Sequence, residues 1–369
     1  MEKINVGIIG AGNCFSGLVQ GIEMYRTILK NEEPIGLMHK SIGGYSIFDI
    51  DFVTAWDVGA NKIGTFLMDG IYKEPNLVKW LNDEEQRSEW WNNNITIIRE
   101  APVLDGIGLY VQNKIIPKEK PTDIEILKKE IVLEIKEKEV DVLVNYLPVG
   151  SQKATEFWAE IALETGTAFV NCIPVFIASN PEWEQKFKEK HVPIIGDDVK
   201  GQIGATIVHR ILANLVNQRG SKLEKTYQLN VGGNTDFLNM LEQSRLESKK
   251  VSKTSSVQSQ LSKELGADYI HVGPSDFIPF LGNTKIAFIR LEGRMFAEIP
   301  FNMELRLEVD DKANSAGIVI DAVRIAKLAK DRGDGGDITG ASAYLMKHPI
   351  RQYTDDNART LLERYIYSS

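Results

Sequence analysis

Cysteine and histidine are scarce in this sequence, and the few present are not spaced as metal ligands. The 369 residues include two cysteines, Cys14 and Cys172, and no CxxC or Cys/His spacing. Two such cysteines provide neither a disulfide framework nor a zinc site, and they favour a reducing compartment. The histidines also show no ligand spacing, and we interpret all five as structural residues: His39, His191, His209, His271 and His348.

Long apolar runs and an excess of positive charge are lacking as well. No run approaches the roughly 18–20 residues of a transmembrane helix. The first residues, MEKINVGIIGAG, are too few and too rich in glycine for a signal peptide. Asp and Glu number 51 against 43 Lys and Arg, which gives a net charge of −8. We therefore expect a cytoplasmic protein whose main partner is neither nucleic acid nor a membrane.

Apolar periodicity divides the chain into two parts. A chain of 369 residues predicts about two domains. Up to residue 198, short apolar strands alternate with helices, which predicts an α/β domain with a Rossmann-like, doubly wound parallel sheet. Its strands are predicted in INVGII and at residues 50–58, 140–151, 167–179 and 192–198, with an irregular insertion at 84–121.

The pattern changes after residue 198. QIGATIVHRILANLV predicts a helix, whereas KTYQLNVGGN, TKIAFIRLEGRM and MELRLEVDD alternate apolar and polar residues. Alternation at period two predicts a half-buried, more antiparallel sheet. Residues 199–314 are therefore predicted to form a second, α+β domain. Residues 315–369 are predicted to be largely helical and to pack back on the first domain, residues 1–198.

A glycine-rich turn stands where the first predicted strand meets the first helix. Gly10 and Gly12 permit a tight turn and let the backbone approach a pyrophosphate on the helix N-terminus. Phe15 occupies the third glycine position of GxGxxG, so the fingerprint is incomplete. Asp57 ends the second strand, and a carboxylate there favours NAD over NADP because it repels a 2′-phosphate. The pattern predicts an NAD site, with a glycine turn that holds no ligand as the alternative.

Five further residues are assigned to the cofactor site by their position. Asn13 and Cys14 continue the glycine loop, and we interpret Cys14 as a small packing residue and not as a nucleophile. Asn145, Leu147 and Gly150 end a predicted strand at the carboxyl edge of the sheet, where a dinucleotide crevice forms. A purely structural turn is the alternative for these three.

The stretch LESKKVSKTSSV, residues 246–257, gathers three lysines in an acidic chain. Lys249 and Lys253 are spaced i, i+4 and share a helix face. Lys250 lies about 100° around the helix and is interpreted as structural or solvent-facing. The surrounding hydroxyl residues and the glycines of NVGGNTD upstream are typical of phosphate-binding loops. A solvated helix face and a site for a phosphorylated small molecule are both open.

Six longer segments carry a resemblance to a known family. GDDVKGQIGAT, QLNVGGNTDFLNM, ESKKVSKT, GPSDFIPFLGNTKIAFIRLEG, NSAGIVIDAVR and SAYLMKHP resemble myo-inositol-1-phosphate synthase of the bacterial and archaeal type. The resemblance implies an isomerase that converts D-glucose 6-phosphate to 1L-myo-inositol 1-phosphate with NAD. It also implies the order of steps: oxidation at C5, loss of a proton from C6, attack of the enolate on C1, and reduction of the ring ketone. A homotetramer assembled through the second domain, which also carries the catalytic residues, is implied as well.

The resemblance implies catalytic roles for four lysines. Lys249 and Lys253 would stabilise the C5 oxygen and the aldol oxyanion. Lys285, in NTKIAF, would contact the phosphate or the C1 oxygen. Lys347, in YLMKHP, would act at C5 during hydride transfer. Ammonium groups suit these tasks because they are compact charges whose pKa responds to burial.

The resemblance also implies roles for residues of the GDDVKG motif. Asp198 would be the catalytic carboxylate near the nicotinamide, with Asp197 on the cofactor side as the alternative. Lys200 would bind substrate. Gly201 stands where family members commonly have serine, so this chain lacks that hydroxyl.

Three more polar residues are matched to the family. Asn234 and Asp236 would lie at the substrate. Asp311 would lie near the cofactor, where a monovalent or divalent cation is expected, and its neighbour Asp310 is the solvent-facing alternative.

Two other classes of function are open from the sequence. An ordinary NAD-dependent dehydrogenase of a phosphorylated small molecule would share the Rossmann half and release NADH. A non-catalytic NAD-binding sensor or scaffold would bind the dinucleotide without turnover.

Overall fold

The fold was analysed on a computed structural model. It describes residues 3–81, 86–242, 247–261 and 263–368, and the side chains at 247–250, 274 and 275 lie outside this description. Up to residue 195 each strand is followed by an α-helix, or by two short α-helices after β2, before the next strand. The elements are β1 Ile4–Ile9, α1 Asn13–Arg26, β2 Ile50–Asp57, α2 Leu67–Gly70, α3 Glu89–Asn92, β3 Ile98–Glu100, α4 Ile124–Glu137, β4 Val142–Asn145, α5 Gln152–Thr165, β5 Ala168–Asn171, α6 Pro181–Glu189 and β6 Pro193–Ile195.

A second group of elements follows in the rest of the chain. These are α7 Ala205–Gln218, β7 Lys222–Gly232, α8 Thr235–Asn239, α9 Glu247–Gln258, β8 Ile270–Phe277, β9 Thr284–Arg294, β10 Pro300–Asp310, α10 Ala313–Arg332, β11 Gly336–Asp337, α11 Thr339–Leu345 and α12 Asp355–Tyr367. Within the described ranges, no helix is long and apolar enough to cross a membrane.

The first sheet has seven strands in the order β11-β6-β5-β4-β1-β2-β3, and every pairing is parallel. Its central strands are apolar throughout because helices cover both faces. Leu18 of α1 and Val319 of α10 pack in the core on one face, whereas Ile131 of α4 and Trp158 of α5 pack on the other. The predicted Rossmann-like, doubly wound sheet is confirmed. The edge strands β3 and β11 were not predicted.

The last helices return to the first sheet. Helix α10 packs against α1 and β5, and β11 then pairs with β6 through Gly336 and Asp337. The cavity described below is therefore bounded by segments from both ends of the chain. The division at residues 198 and 314 stays a proposal.

The second sheet has four strands in the order β10-β9-β7-β8. β9 is antiparallel to β7 and β10, and β8 runs parallel to β7. The three alternating segments correspond to β7, β9 and β10, while β8 was not recognised. One face buries Ile289 and Leu291 of β9 against Ala213 of α7 and Val257 of α9, as the alternation requires.

A fully buried guanidinium ties helix α9 to the C-terminal segment. Arg210 of α7 is 0% exposed and pairs with Asp355, the first residue of α12, at 3.0 Å from Nε to Oδ2. Its Nη1 donates to the Ser256 carbonyl at 2.6 Å, and its Nη2 donates to the Tyr353 carbonyl at 2.9 Å. One side chain thus holds together α7, α9 and the chain before α12.

Candidate active site

A cavity lies between the carboxyl edge of the parallel sheet and the elements of the second sheet with its helices. The glycine loop, the loops after β2, β4, β5 and β6, and residues of α8, α9 and β9 line it. Among the residues that the structure describes, its charged lining consists of lysines and aspartates: Lys62, Lys114, Lys253, Lys285, Lys312, Lys347, Asp57, Asp198, Asp236 and Asp311. These six lysines and four aspartates give the cavity an excess of positive charge in an acidic protein, which favours an anionic ligand.

The glycine loop is shaped to leave space at the N-terminus of α1. Gly10 has φ +93°, and a Cβ there would lie 3.0 Å from the Tyr146 carbonyl oxygen. Its amide donates to the Trp56 carbonyl at 2.8 Å. Gly12 begins the helix, has no heavy atom within 4 Å of a hypothetical Cβ, and provides no side-chain cap. The first amides of α1 are therefore available to an anion from the cavity.

Asp57 stands at the carboxyl end of β2 and braces this loop. Its Oδ2 accepts from the Ala11 amide at 3.0 Å, and its Oδ1 accepts from the Gly59 amide at 2.8 Å. Lys62 lies 3.6 Å from Oδ2 and donates to the Ala11 carbonyl at 2.8 Å. A nearly buried carboxylate thus faces the cavity beside the helix N-terminus.

Asp198 connects three separate segments. Its backbone takes φ +63°, an uncommon value for a residue with a side chain. Its Oδ1 accepts from Lys347 Nζ at 2.7 Å, and its Oδ2 accepts from Ser252 Oγ at 2.8 Å. The Lys347 amide also donates to the Asp198 carbonyl at 2.7 Å. Lys347 is therefore held by both backbone and side chain at the cavity wall.

A second lysine–aspartate cluster also lines the cavity. Asp311 accepts from Lys285 Nζ at 3.3 Å on Oδ1 and from Lys312 Nζ at 2.9 Å on Oδ2. Burial alone would raise the pKa of Asp311, but Lys312 and Lys285 outweigh it and hold that pKa well below its ordinary value. Burial would likewise lower the pKa of Lys312, but the charge of Asp311 raises it. Asp311 and Lys312 are therefore both ionised at neutral pH.

Helix α9 brings Lys253 to the cavity, where it is 7% exposed. The backbone of Lys249 lies in the same helix, one turn earlier, but its side chain and that of Lys250 lie outside the described part of the structure. The LESKKVSKTSSV segment is therefore a helix from Glu247 onward, and it contributes at least one lysine to the cavity.

Twelve residues predicted for the site line this cavity: Gly10, Gly12, Asn13, Cys14, Asp57, Leu147, Asp198, Asp236, Lys253, Lys285, Asp311 and Lys347. Lys253, Lys285 and Lys347 thus come together from segments that are distant in the sequence. Burial raises the pKa of the Cys14 thiol, which agrees with its interpretation as a packing residue.

Three predicted cofactor residues are not part of the cavity lining. Asn145 is fully buried, donates to Asn171 Oδ1 at 2.9 Å and accepts from the Leu147 amide at 3.1 Å. Gly150 forms a turn with φ +88°. Asp197 points away from the cavity and accepts from Asn171, from Ser179 Oγ and from backbone amides, and burial raises its pKa to about 6. These residues shape the loops that carry Leu147 and Asp198.

Two predicted substrate residues are not in the lining: Lys200 is hydrogen-bonded within the protein interior, and Asn234 supports two residues that do line the cavity. Lys200 is 1% exposed and donates to the Ala343 carbonyl at 2.7 Å. Burial, together with the nearby Arg210, lowers its pKa to about 7. Asn234 caps α8 by accepting from the Asp236 amide at 3.0 Å, and it donates to Asp311 Oδ2 at 3.2 Å.

Gly201 has a steric explanation. A Cβ at this position would lie 2.8 Å from Asn314 Nδ2, and Asn314 in turn accepts from the Ile203 amide at 2.9 Å. The close approach of Asn314 therefore disfavours any side chain at 201 without a local shift.

Sequence reasoning missed three lysines of the lining: Lys62, Lys114 and Lys312. Lys62 and Lys114 stand alone in irregular segments, so no spacing pattern marks them. Lys312 follows Asp311 directly in VDDKANSAG, and this adjacency to a matched carboxylate was the available signal.

Comparison with known proteins identifies relatives along the whole chain. A family model described as myo-inositol-1-phosphate synthase matches residues 204–312. The inositol-3-phosphate synthase of Mycolicibacterium smegmatis is 50% identical over 369 residues, which cover 99% of this chain and 98% of the relative. That of Mycobacterium tuberculosis is 49% identical over 365 residues, with 99% and 96% covered.

A solved structure shows the same fold. The myo-inositol-1-phosphate synthase-related protein from Thermotoga maritima superposes with a TM-score of 0.81 at 25% identity, and 99% of this chain and 98% of that chain are covered. The similarity thus includes both the parallel sheet and the second domain.

Proposed function

The chain belongs to the myo-inositol-1-phosphate synthase family, and on this premise we propose that it converts D-glucose 6-phosphate to 1L-myo-inositol 1-phosphate with NAD used in a redox-neutral cycle. One observation carries the proposal. Lys253, Lys285 and Lys347 converge on one cavity with the glycine loop and Asp57. A sugar phosphate that forms an enolate and an alkoxide requires several preorganised cations in one place.

The residues at the glycine loop fit a dinucleotide. The open space at Gly12, the uncapped N-terminus of α1 and the carboxylate of Asp57 would hold the pyrophosphate and a ribose hydroxyl. When bound, the nicotinamide would supply the oxidation at C5 and the later reduction of the ring ketone.

Lys347 is proposed to move the proton at the C5 oxygen. Its Nζ lies 2.7 Å from Asp198 Oδ1, so the carboxylate orients the amine and stabilises the ammonium formed when it takes the C5 hydroxyl proton. Ser252 Oγ, at 2.8 Å from Oδ2, holds the carboxylate in turn. When the ring ketone is reduced, the same ammonium returns a proton to the C5 oxygen.

Lys253 and Lys285 are proposed to hold negative charge during cyclisation. As a proton leaves C6, Lys253 stabilises the enolate oxygen at C5. As the C1–C6 bond forms, Lys285 stabilises the C1 oxygen, which takes up the proton lost from C6, so the cyclisation is neutral in protons. Preorganised ammonium groups lower this barrier because they need no reorientation during the reaction. The homotetramer stays a prediction from the resemblance.

Product analysis tests this function directly. We expect purified protein with D-glucose 6-phosphate and NAD to yield inositol phosphate, detected by phosphorus NMR, without accumulation of free NADH. NADH that rises in step with product would indicate an ordinary dehydrogenase. Binding of NAD without any turnover would indicate a sensor.

Replacing Asp57 by asparagine is expected to shift cofactor preference toward NADP. The amide keeps one of the two acceptors that the amides of Ala11 and Gly59 use, and it removes the charge that repels a 2′-phosphate. We expect the ratio of the Kd for NADP to the Kd for NAD to fall by roughly ten- to a hundredfold, as measured by titration calorimetry. Asp69→Asn, at an exposed position of α2, is the matched control. If the ratio of the two Kd values were unchanged in Asp57→Asn, Asp57 would not be the residue that recognises the ribose.

A further inference from the structure

The carboxylate of Asp311 is already neutralised by groups of the protein itself. Its two oxygens accept hydrogen bonds from Lys285 Nζ at 3.3 Å, Lys312 Nζ at 2.9 Å and Asn234 Nδ2 at 3.2 Å. A divalent cation prefers several oxygen ligands around it. In the described ranges, no group of three or more His, Cys, Asp and Glu side chains could hold a metal ion. The residues present therefore do not fit a divalent cation, one of the two kinds that the resemblance implied at Asp311.

Lys312 stands where such a cation would act. It lines the cavity, is 2% exposed, and its Nζ lies 3.6 Å from the Sγ of Cys14, the second residue of α1. The lysine fits against α1 because Gly17 has no side chain, and a Cβ there would lie 3.0 Å from the Lys312 Cβ. The ammonium is therefore beside the N-terminal turn of α1.

The Lys312 ammonium has more N–H donors than it has acceptors among the described residues. A lysine has three N–H donors, and among the described residues Asp311 and Cys14 are the acceptors of Lys312. The third N–H is available to a group in the cavity. The neighbouring helix N-terminus favours an anionic group at the same place, so both features select a phosphate oxygen.

We propose that Lys312 is the resident cation of this site: its ammonium binds an anionic oxygen of NAD, and the chain needs no metal ion for that purpose. The inference rests on the proposed function in one respect, which is that the dinucleotide is the ligand. Asp311 serves as the positioning residue that keeps the ammonium charged and directed at the cavity.

The test is the affinity for NAD, measured by titration calorimetry in EDTA, in MgCl2 and in NH4Cl. We expect the wild-type Kd to be the same in all three. Lys312→Met should weaken binding by about ten- to a hundredfold. Lys312→Arg, which keeps the charge, should retain most of the affinity. Lys312→Ala should bind weakly in EDTA and recover part of its affinity in NH4Cl, because the vacated space accepts a small cation.

Lys327→Met is the matched control. Lys327 lies in the same helix α10, is 6% exposed and pairs with Asp331 at 2.6 Å, but it does not line the cavity. We expect this variant to bind NAD as the wild type does. Circular dichroism is the check that each variant is folded.

Three results would overturn the inference: a wild-type Kd that rises in EDTA and recovers in MgCl2, a Lys312→Met variant that binds NAD normally, or a Lys312→Arg variant as weak as Lys312→Met. Failure of the proposed function is a separate result, because it would appear as absent inositol phosphate while NAD binding follows the expected pattern.

Discussion

Replacing Lys347 by alanine is expected to lower the rate of inositol phosphate formation by roughly 10²–10⁴-fold, the range of a lost acid–base group. NAD affinity should stay nearly unchanged, because Lys347 pairs with Asp198 at 2.7 Å and has no contact with the glycine loop or Asp57 among the hydrogen bonds and ion pairs of the described residues. The measurements are kcat from phosphorus NMR time courses and NAD affinity from calorimetry. Lys253→Ala should behave in the same way, since its ammonium is proposed to act on the C5 oxyanion.

Lys330→Ala provides a matched control for these two variants. Lys330 also forms a lysine–aspartate pair, at 3.1 Å from Asp141, but it lies on α10 outside the cavity lining. We expect a normal rate in this variant. A normal rate in Lys347→Ala or in Lys253→Ala would exclude that residue from the chemistry. A parallel loss of NAD affinity would place it in cofactor binding instead.

Replacing Arg210 by methionine is expected to lower the free energy of unfolding by about 3–5 kcal/mol. The guanidinium is 0% exposed, and its removal takes one donor from Asp355 and one from each of the carbonyls of Ser256 and Tyr353. Each lost hydrogen bond costs free energy because water does not replace the donor in the buried site. The measurement is the midpoint of guanidinium unfolding.

Arg99→Met is the control for this stability prediction. Arg99 pairs with Glu134 at 3.5 Å, and its side chain is 59% exposed, so the pair is screened by solvent. We expect little change in the unfolding midpoint. If Arg210→Met were equally neutral, the buried network between α7, α9 and α12 would not hold these elements together.

Much of the first domain could be predicted because its signals are local. Buried parallel strands appear as short apolar runs, and a tight turn into a helix requires glycine, so β1, the Gly10–Gly12 turn and β2 with Asp57 were placed correctly. Strands were predicted too long, as for 140–151 against β4 Val142–Asn145, because apolar loop residues at the cavity continue the apolar run.

Other elements could not be predicted because they depend on distant partners. β11 is two residues long and is a strand only through its pairing with β6. β8 was missed, and with it the parallel pairing to β7 that makes the second sheet mixed. A strand of two residues is too short to show an apolar periodicity. The pairing of β8 with β7 joins two distant segments, so the sequence of one segment alone does not indicate it.

The residue types that could perform the chemistry were determined by the sequence alone. Lys253, Lys285 and Lys347 are cations suited to an anionic ligand, since charge and hydrogen-bonding capacity belong to each side chain itself. Tertiary structure decided which of these groups face one another. It turned Asp197 and Lys200 into the protein interior and set Lys312 against Asp311 beside helix α1, which follows the glycine loop. The physical reason is that burial and the direction of a side chain depend on segments packed from elsewhere in the chain, and these determine which charges are neutralised and which remain for a ligand.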